Sequence, residues 1–412
     1  MVGFKSIFKQ VGSATSFSFY SSNSSSESST KLSLCSSNQD LPIFASFNQQ
    51  GANMYWHRRQ IEVNLGLIFI LDKQLAPPSL SSLVVRDDWE SELDFLEARM
   101  TEEQAKEALE DHWSFFVNER DFEYLSSISI NSVRIPIGYW IVGILTSGPF
   151  KRWSKYSISF WNINPETTLA IQLAPINNVV GLDISNEPLD EYLSLQNFYL
   201  SAYKAIRQAM PDMLLPIYMC DAFNSTKYAD LIKHHSLKFV VLDIYFPFTA
   251  FNQQQASSLL KDVQGVKKVR RFTRSQLDIY NDIEAGHCSW NCRISNDGDY
   301  SSFVYCHKTS TLPAKYNSND DASAKVISEL ATLRLKHYST TVNENDKDFN
   351  QGFESGFDTA LLYLSKYHAQ IGFKRQLAHT HSKRKNYSYE KGFTSALYFV
   401  DQVVNEFVAD LY

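Results

Sequence analysis

The tetrapeptide Ser185-Asn186-Glu187-Pro188 follows directly on Val179 to Ile184, an apolar run of strand length. Functional residues of parallel α/β folds sit where strands end, so Glu187 is positioned to project from the chemically active face. Asn186 can hold a hydroxyl of a bound molecule, and Pro188 fixes the turn. The tetrapeptide alone reads equally well as a surface Asn-Glu-Pro turn. His287-Cys288, Cys292 and Cys306-His307 raise the question of a tetrahedral zinc site. Their spacing fits no zinc pattern and no CxxC pair is present, so neither a metal nor any other cofactor is expected. The basic runs Lys267 to Arg271 and His379 to Lys385 read as solvated helix faces.

These residues need a scaffold of buried strands. Ile61 to Leu71, Ser132 to Ile137, Asn178 to Ile184, Leu214 to Tyr218 and Leu237 to Asp243 are short and largely apolar. Helical patterns separate them, notably Glu102 to Phe122 and Leu195 to Met210. Apolar strands alternating with helices indicate parallel strands covered on both faces, hence an α/β sheet or barrel. Residues 12–40 form a Ser/Asn-rich tract too polar to fold, and the folded part is expected from near Tyr55. From Ser289 to about Asp320 the chain turns polar and irregular. From Asp346 to Tyr412 it carries no Pro and spaces Phe349, Phe353, Phe357 and Leu361 as two or three packed helices.

Composition narrows the chemistry. The chain has 412 residues, 44% of them hydrophobic, enough to bury one barrel-sized core with appendages. A formal charge of -6 gives no electrostatic reason to expect nucleic acid or an anionic membrane surface, so a neutral substrate fits better. Five scattered cysteines are an odd number in a chain too large to need staples, which points to a reducing compartment. No run reaches the roughly 18 apolar residues of a membrane span, and the start lacks a secretory apolar segment. The expected location is the cytoplasm. Phe4, Ile7, Phe8 and Val11 at helical spacing beside Lys5 and Lys9 leave a mitochondrial presequence as the other reading.

Several motifs occur in a set order: Val63-Asn-Leu-Gly66, His112-Trp113 with Asp121-Phe122, Val133-Arg-Ile-Pro-Ile-Gly-Tyr-Trp140, and Asn186-Glu187-Pro188. They continue through Pro216 to Phe223, Phe239 to Asp243, Phe349-Asn-Gln-Gly-Phe353, Ile371-Gly-Phe373 and Tyr389-Glu-Lys-Gly-Phe393. In this order the chain resembles family 5 glycoside hydrolases, specifically the intracellular fungal exo-β-1,3-glucanase-like branch. The resemblance implies a (β/α)8 TIM barrel, here incomplete, with a C-terminal helical extension. The expected divisions are a tail over 1–54, a partly eroded barrel domain over 55–330 and a helical region over 331–412.

The resemblance further implies hydrolysis of O-glycosyl bonds in β-glucan or β-glucoside substrates by a retaining mechanism. That mechanism asks for two carboxyl groups about 5–5.5 Å apart. Glu187 would be the acid/base, Asn186 and Arg134 would bind substrate, and Arg134 would hold the nucleophile ionised. Without the family, Arg134 reads as an ion pair at a strand end. The nucleophile's Gly-Glu-(Phe/Trp)-Ser context is absent, and Glu284 is the nearest candidate in the chain, although its polar flanks also fit a solvated loop. A His-x-Tyr pair is expected after Asp243, where Tyr245, Phe246 and Pro247 stand instead. A third-strand Leu-His-Gly loop is absent too, and Trp290 is the one indole available for an eighth strand. These departures equally fit a catalytically inactive remnant that binds a glycan or a protein. The partner implied is a carbohydrate, with no nucleic acid, no membrane and no specified protein.

Overall fold

The computed structural model describes residues 46–66, 68–69, 101–128, 130–137, 173, 176–186, 188, 190, 193–210, 215–244, 286–289, 326–334, 346–367, 369–383 and 385–410. Among them, helices and parallel strands alternate. Helix α1 (Gln49–His57) leads into strand β1 (Gln60–Asn64), then α2 (Glu102–Phe115), α3 (Glu119–Ser127) and β2 (Ser132–Arg134). Next come β3 (Leu182–Asp183), α4 (Leu193–Ala209), β4 (Ile217–Cys220), α5 (Ser225–His234), β5 (Val240–Asp243) and β6 (Gly286–Ser289). Three helices close the chain: α6 (Lys347–Tyr367), α7 (Lys374–Ser382) and α8 (Tyr387–Asp410).

The strands form two three-stranded sheets, ordered β2-β1-β6 and β3-β4-β5, and every pairing is parallel. Parallel neighbours need crossover connections, which α4 and α5 supply between β3, β4 and β5. Both helices bury one stripe. Leu195, Tyr199, Ala202 and Ile206 of α4 recur at helical spacing and pack on Ile217 and Met219 of β4. Tyr199 also donates its hydroxyl to the Cys220 carbonyl at 2.8 Å, so this buried phenol has its polar end satisfied. Trp56 of α1 enters the same core and donates its indole N–H to the Val179 carbonyl at 2.9 Å.

The amphipathic stretch read as one helix over 102–122 is two. Asn118 leaves helical geometry and caps α3: its side chain accepts from the Arg120 amide at 3.0 Å, while Asp121 accepts from the Asn118 amide at 2.9 Å. This reciprocal box satisfies amides that a new helix start leaves orphaned, so the chain restarts there instead of continuing. The strands are shorter than their apolar runs. β1 ends at Asn64, and only Leu182–Asp183 of the run from Asn178 pairs. β6 is an element the sequence reading lacked, because Gly286-His-Cys-Ser289 has neither alternation nor β-branched residues.

The last three helices enclose a second core with residues 326–334, built on Phe353, Phe357, Leu377, Phe393, Leu397 and Val400. Two similar motifs interlock here. A Cβ on Gly352 would meet the Tyr389 carbonyl oxygen at 2.1 Å, and one on Gly392 would meet the Phe349 oxygen at 2.0 Å. Only hydrogen at both positions lets the α6 and α8 backbones approach this closely. Lys374 of α7 is buried and ion-paired with Asp401 of α8 at 2.7 Å. The tail is tied to the start of the folded chain by Arg59 N–H to the Gln370 carbonyl, 2.7 Å, and Gly372 N–H to the His57 carbonyl, 2.8 Å. Among the described residues no helix is long and apolar enough to cross a membrane.

Candidate functional site

Each of the six strands contributes one polar side chain to a shared electrostatic cluster: Glu62, Arg134, Asp183, Tyr218, Asp243 and Cys288. The register brings them to similar depth. Glu62 lies opposite Ser132 and Cys288, Asp183 opposite Tyr218, and Arg134 opposite Asn64. Arg134 is the hub. Its Nη2 donates to Asp243 Oδ2 at 2.8 Å, and its Nη1 lies 3.6 Å from Asp183 Oδ2. One guanidinium from the first sheet thus holds carboxylates from two strands of the second. The fork of five N–H donors suits this task, which a lysine could meet only as a point charge.

Burial sets the charges. It opposes the positive form of Arg134, but Cys288, Asp243, Asp183 and Glu62 together outweigh it and leave the guanidinium more firmly protonated than usual. Burial pushes the Asp183 carboxyl up to about 7; Arg134 works against that rise and Asp243 adds to it. Burial likewise raises Glu62, against the pull of Arg134. The Tyr218 phenol and the Cys288 thiol are raised by the same desolvation, so both are neutral groups near pH 7. Solvent still reaches the centre: the side chains of Arg134, Asp183 and Asp243 are 18%, 20% and 29% exposed.

Among the described residues, Asn64, Tyr218 and Arg58 each bring to the cluster a buried polar atom without a hydrogen-bond partner. Asn64, at the C-terminal end of β1, is completely buried, yet neither its Oδ1 nor its Nδ2 is bonded. Side chains alternate along a strand, so Asn64 shares the face of Glu62 and lies beside Arg134. The buried Tyr218 hydroxyl is likewise unbonded. Orphaned buried polar groups are rare and costly, at about 1–3 kcal/mol each.

Of the expected site residues, Arg134 is in this cluster. Asn186 is exposed on the turn after β3, where the Ser185 amide donates to Asp183 Oδ1 at 3.3 Å. Glu187 and Glu284 lie outside the described residues, as do Tyr245, Phe246, Pro247, Trp290, Cys292, Cys306 and His307. Glu62, Asn64, Asp183 and Asp243 were missed as site residues. Their signal is present in the chain: a carboxylate or amide inside an apolar strand run is unusual enough to need a partner. Among the described residues no three His, Cys, Asp or Glu side chains gather as a metal site would require.

No protein-family model matches the chain. It is 23% identical over 258 residues to glucan 1,3-beta-glucosidase 3 of Schizosaccharomyces pombe, covering 48% of this chain and 53% of that protein. It is 26% identical over 196 residues to a glucan 1,3-beta-glucosidase of Pichia angusta, covering 35% and 45% respectively. A stretch of 90 residues is 34% identical to a probable glucan 1,3-beta-glucosidase A of Aspergillus fumigatus, covering 21% of this chain and 20% of that one. The chain thus spans about half the length of the first two relatives.

Proposed function

We propose that this protein hydrolyses O-glycosyl bonds of β-1,3-linked glucan or a related β-glucoside, as a family 5-type retaining glycosidase on a (β/α)8 scaffold. The observation that carries this reading is Arg134, bonded to a carboxylate at a strand end in a solvent-reachable interior where parallel strands converge. A glycosidase needs such a setting, because an ionised carboxylate must be kept beside a second carboxyl that carries a proton. The names of the similar proteins support β-1,3-glucan as the substrate class of this reading. The parallel pairing of β6, the last described strand, with β1 supports a closed sheet, since a barrel joins its ends in this way.

In this reading Glu187 protonates the leaving oxygen and Asn186 holds a sugar hydroxyl. Residues 55–330 form the catalytic barrel, 331–412 pack as a supporting helical region, and the work is done in the cytoplasm. Acid/base and covalent catalysis by carboxyls need no cofactor. The test is hydrolysis of an aryl β-glucoside and of laminarin-type oligosaccharide by the purified chain, with Glu187→Gln as the blank. Turnover that disappears in the variant supports the proposal. Folded wild-type protein without turnover refutes it and leaves a glycan-binding remnant as the reading to pursue.

A further inference from the structure

We propose that His57 and residues 369–373 form an acid-opened latch, in which a proton taken up on His57 Nε2 releases the C-terminal helical region from the strands it is tied to. The device is independent of the activity proposed above. It lies at the opposite end of the strands from the Arg134 cluster: His57 precedes β1 and Phe239 precedes β5, whereas Arg134 and Asp243 end β2 and β5. That end of parallel α/β strands serves stability instead of chemistry.

One residue holds both sides of the seam. The His57 carbonyl accepts from the Gly372 amide at 2.8 Å and from the Phe373 amide at 3.3 Å, and Arg58 pairs with Ile371 in an isolated antiparallel bridge. Phe373 thereby packs against the core of β3, β4 and β5, with its ring 5.5 Å from that of Phe239. The Phe239 ring in turn lies 5.3 Å from the His57 imidazole. Ala52 and Trp56 of α1 belong to this core, while Met54 packs against the core of the last three helices. Helix α1 is therefore the joint between the two cores, and His57 is its last residue.

The His57 ring accommodates one proton and opposes a second. Nδ1 lies 2.8 Å from the Asn53 carbonyl, which makes Nδ1 the donor; Tyr363 of α6 donates to the same carbonyl at 3.5 Å. Nε2 is buried and has no partner among the described residues. A proton there creates a buried cation whose new N–H lacks an acceptor. The charged surroundings add to that cost. His381 of α7 acts directly on His57, Arg58 and Arg59 follow it in the chain, and Lys374 follows Phe373. The carboxylates of α8 on this side are engaged: Asp401 pairs with Lys374 at 2.7 Å, and Glu390 accepts from Ser382 at 2.8 Å and lies 3.7 Å from His379.

Burial lowers the pKa of His57 from 6.5 to about 4 in the closed seam, so the open seam takes the proton first. Closure is complete above pH 6.5 and weakens as pH falls toward 4. From those two values the open population at pH 5 is about 20 times that at pH 7. His381, stacked 4.9 Å from the Phe393 ring, is lowered by burial as well and acts in the same direction.

Hydrogen exchange of the full wild-type chain at pH 7 and pH 5, corrected for intrinsic rates and read at residue resolution, tests the latch. The seam amides of Arg59, Gly372 and Phe373 are compared with those of Leu182 and Ile184, which bond to the Pro216 and Tyr218 carbonyls inside the β3-β4-β5 sheet. The seam amides are expected to be less protected than the sheet amides at both pH values and to lose protection about 20-fold at pH 5. His57→Phe, which keeps a ring beside Phe239, is expected to abolish that loss. Seam amides as well protected as the sheet amides open only when the whole chain unfolds, and that result overturns the proposal. So does seam protection that is equal at the two pH values, or a loss in His57→Phe as large as in wild type. The wild-type comparison decides by itself if the variant does not fold.

Discussion

The interlocked glycines of the C-terminal helices allow a prediction in which two opposing effects are compared. Gly352→Ala removes a helix-interior glycine, which by propensity alone stabilises by about 1 kcal/mol. The added methyl, however, would stand 2.1 Å from the Tyr389 carbonyl oxygen, 2.8 Å from its carbon and 3.0 Å from the Phe393 nitrogen, all backbone atoms. Ordinary contact begins at 3.4 Å, so α8 must shift by more than an ångström. That shift also pulls Phe393 and Leu397 from their packing against Phe353 and Phe357. Overpacking of this kind costs about 1–3 kcal/mol and here also strips core contacts, so the clash outweighs the propensity. The expected net loss is about 2 kcal/mol, which lowers Tm by roughly 2–3 °C at the unfolding entropy of a 412-residue chain. Gly51→Ala in α1 is the control: its methyl meets only Asn48 side-chain atoms at 3.8–4.0 Å, so it is neutral or stabilising. The assay is urea and thermal unfolding of the full chain followed by far-UV circular dichroism. Equal stability of Gly352→Ala and Gly51→Ala would refute the reasoning. Gly392→Ala is expected to behave as Gly352→Ala does, and the double variant to lose less than the two single losses combined, because the first methyl has already separated the helices.

Two further predictions concern pH. His57 is buried, and that burial lowers its pKa from 6.5 to about 4 even though Nδ1 hydrogen-bonds the Asn53 carbonyl; Nε2 has no partner among the described residues. The unfolded chain therefore binds the extra proton first, and stability complete above pH 6.5 falls by about 3 kcal/mol as pH drops to 4. His57→Phe should flatten urea-derived stability over that window, and an unchanged slope would sink the assignment. Asp183 carries the opposite sign: its raised folded pKa of about 7 makes its contribution greatest below pH 4 and lost as pH rises through 7. Asp183→Asn is thus expected to be at least as stable as wild type at pH 8, despite losing its 3.6 Å contact with Arg134, and clear destabilisation there would count against it.

The readable parts of the chain were those where local spacing and burial agree. α4 follows its Leu195, Tyr199, Ala202, Ile206 stripe, and the C-terminal helices follow their phenylalanine spacing, because a helix presents one face whatever it packs on. The apolar runs located β1 to β5, although pairing length depends on the neighbouring strand and not on the run. β6 was illegible for the same reason: a short Gly-His-Cys-Ser strand is held by its partner β1, not by its own propensity.

The candidate site divides in the same way. The motif holding Arg134 singled out that residue from sequence alone, and Asn186-Glu187-Pro188 marked a strand end without any structure. What the guanidinium binds was decided only in three dimensions. Asp183 and Asp243 stand 60 residues apart and unremarkable in the chain, and they meet at Arg134 because two separate sheets turn their inward residues to one depth. Composition and periodicity report which face of an element is buried. They do not report which charges that burial brings together, and the Coulomb energy of this site depends on those distances.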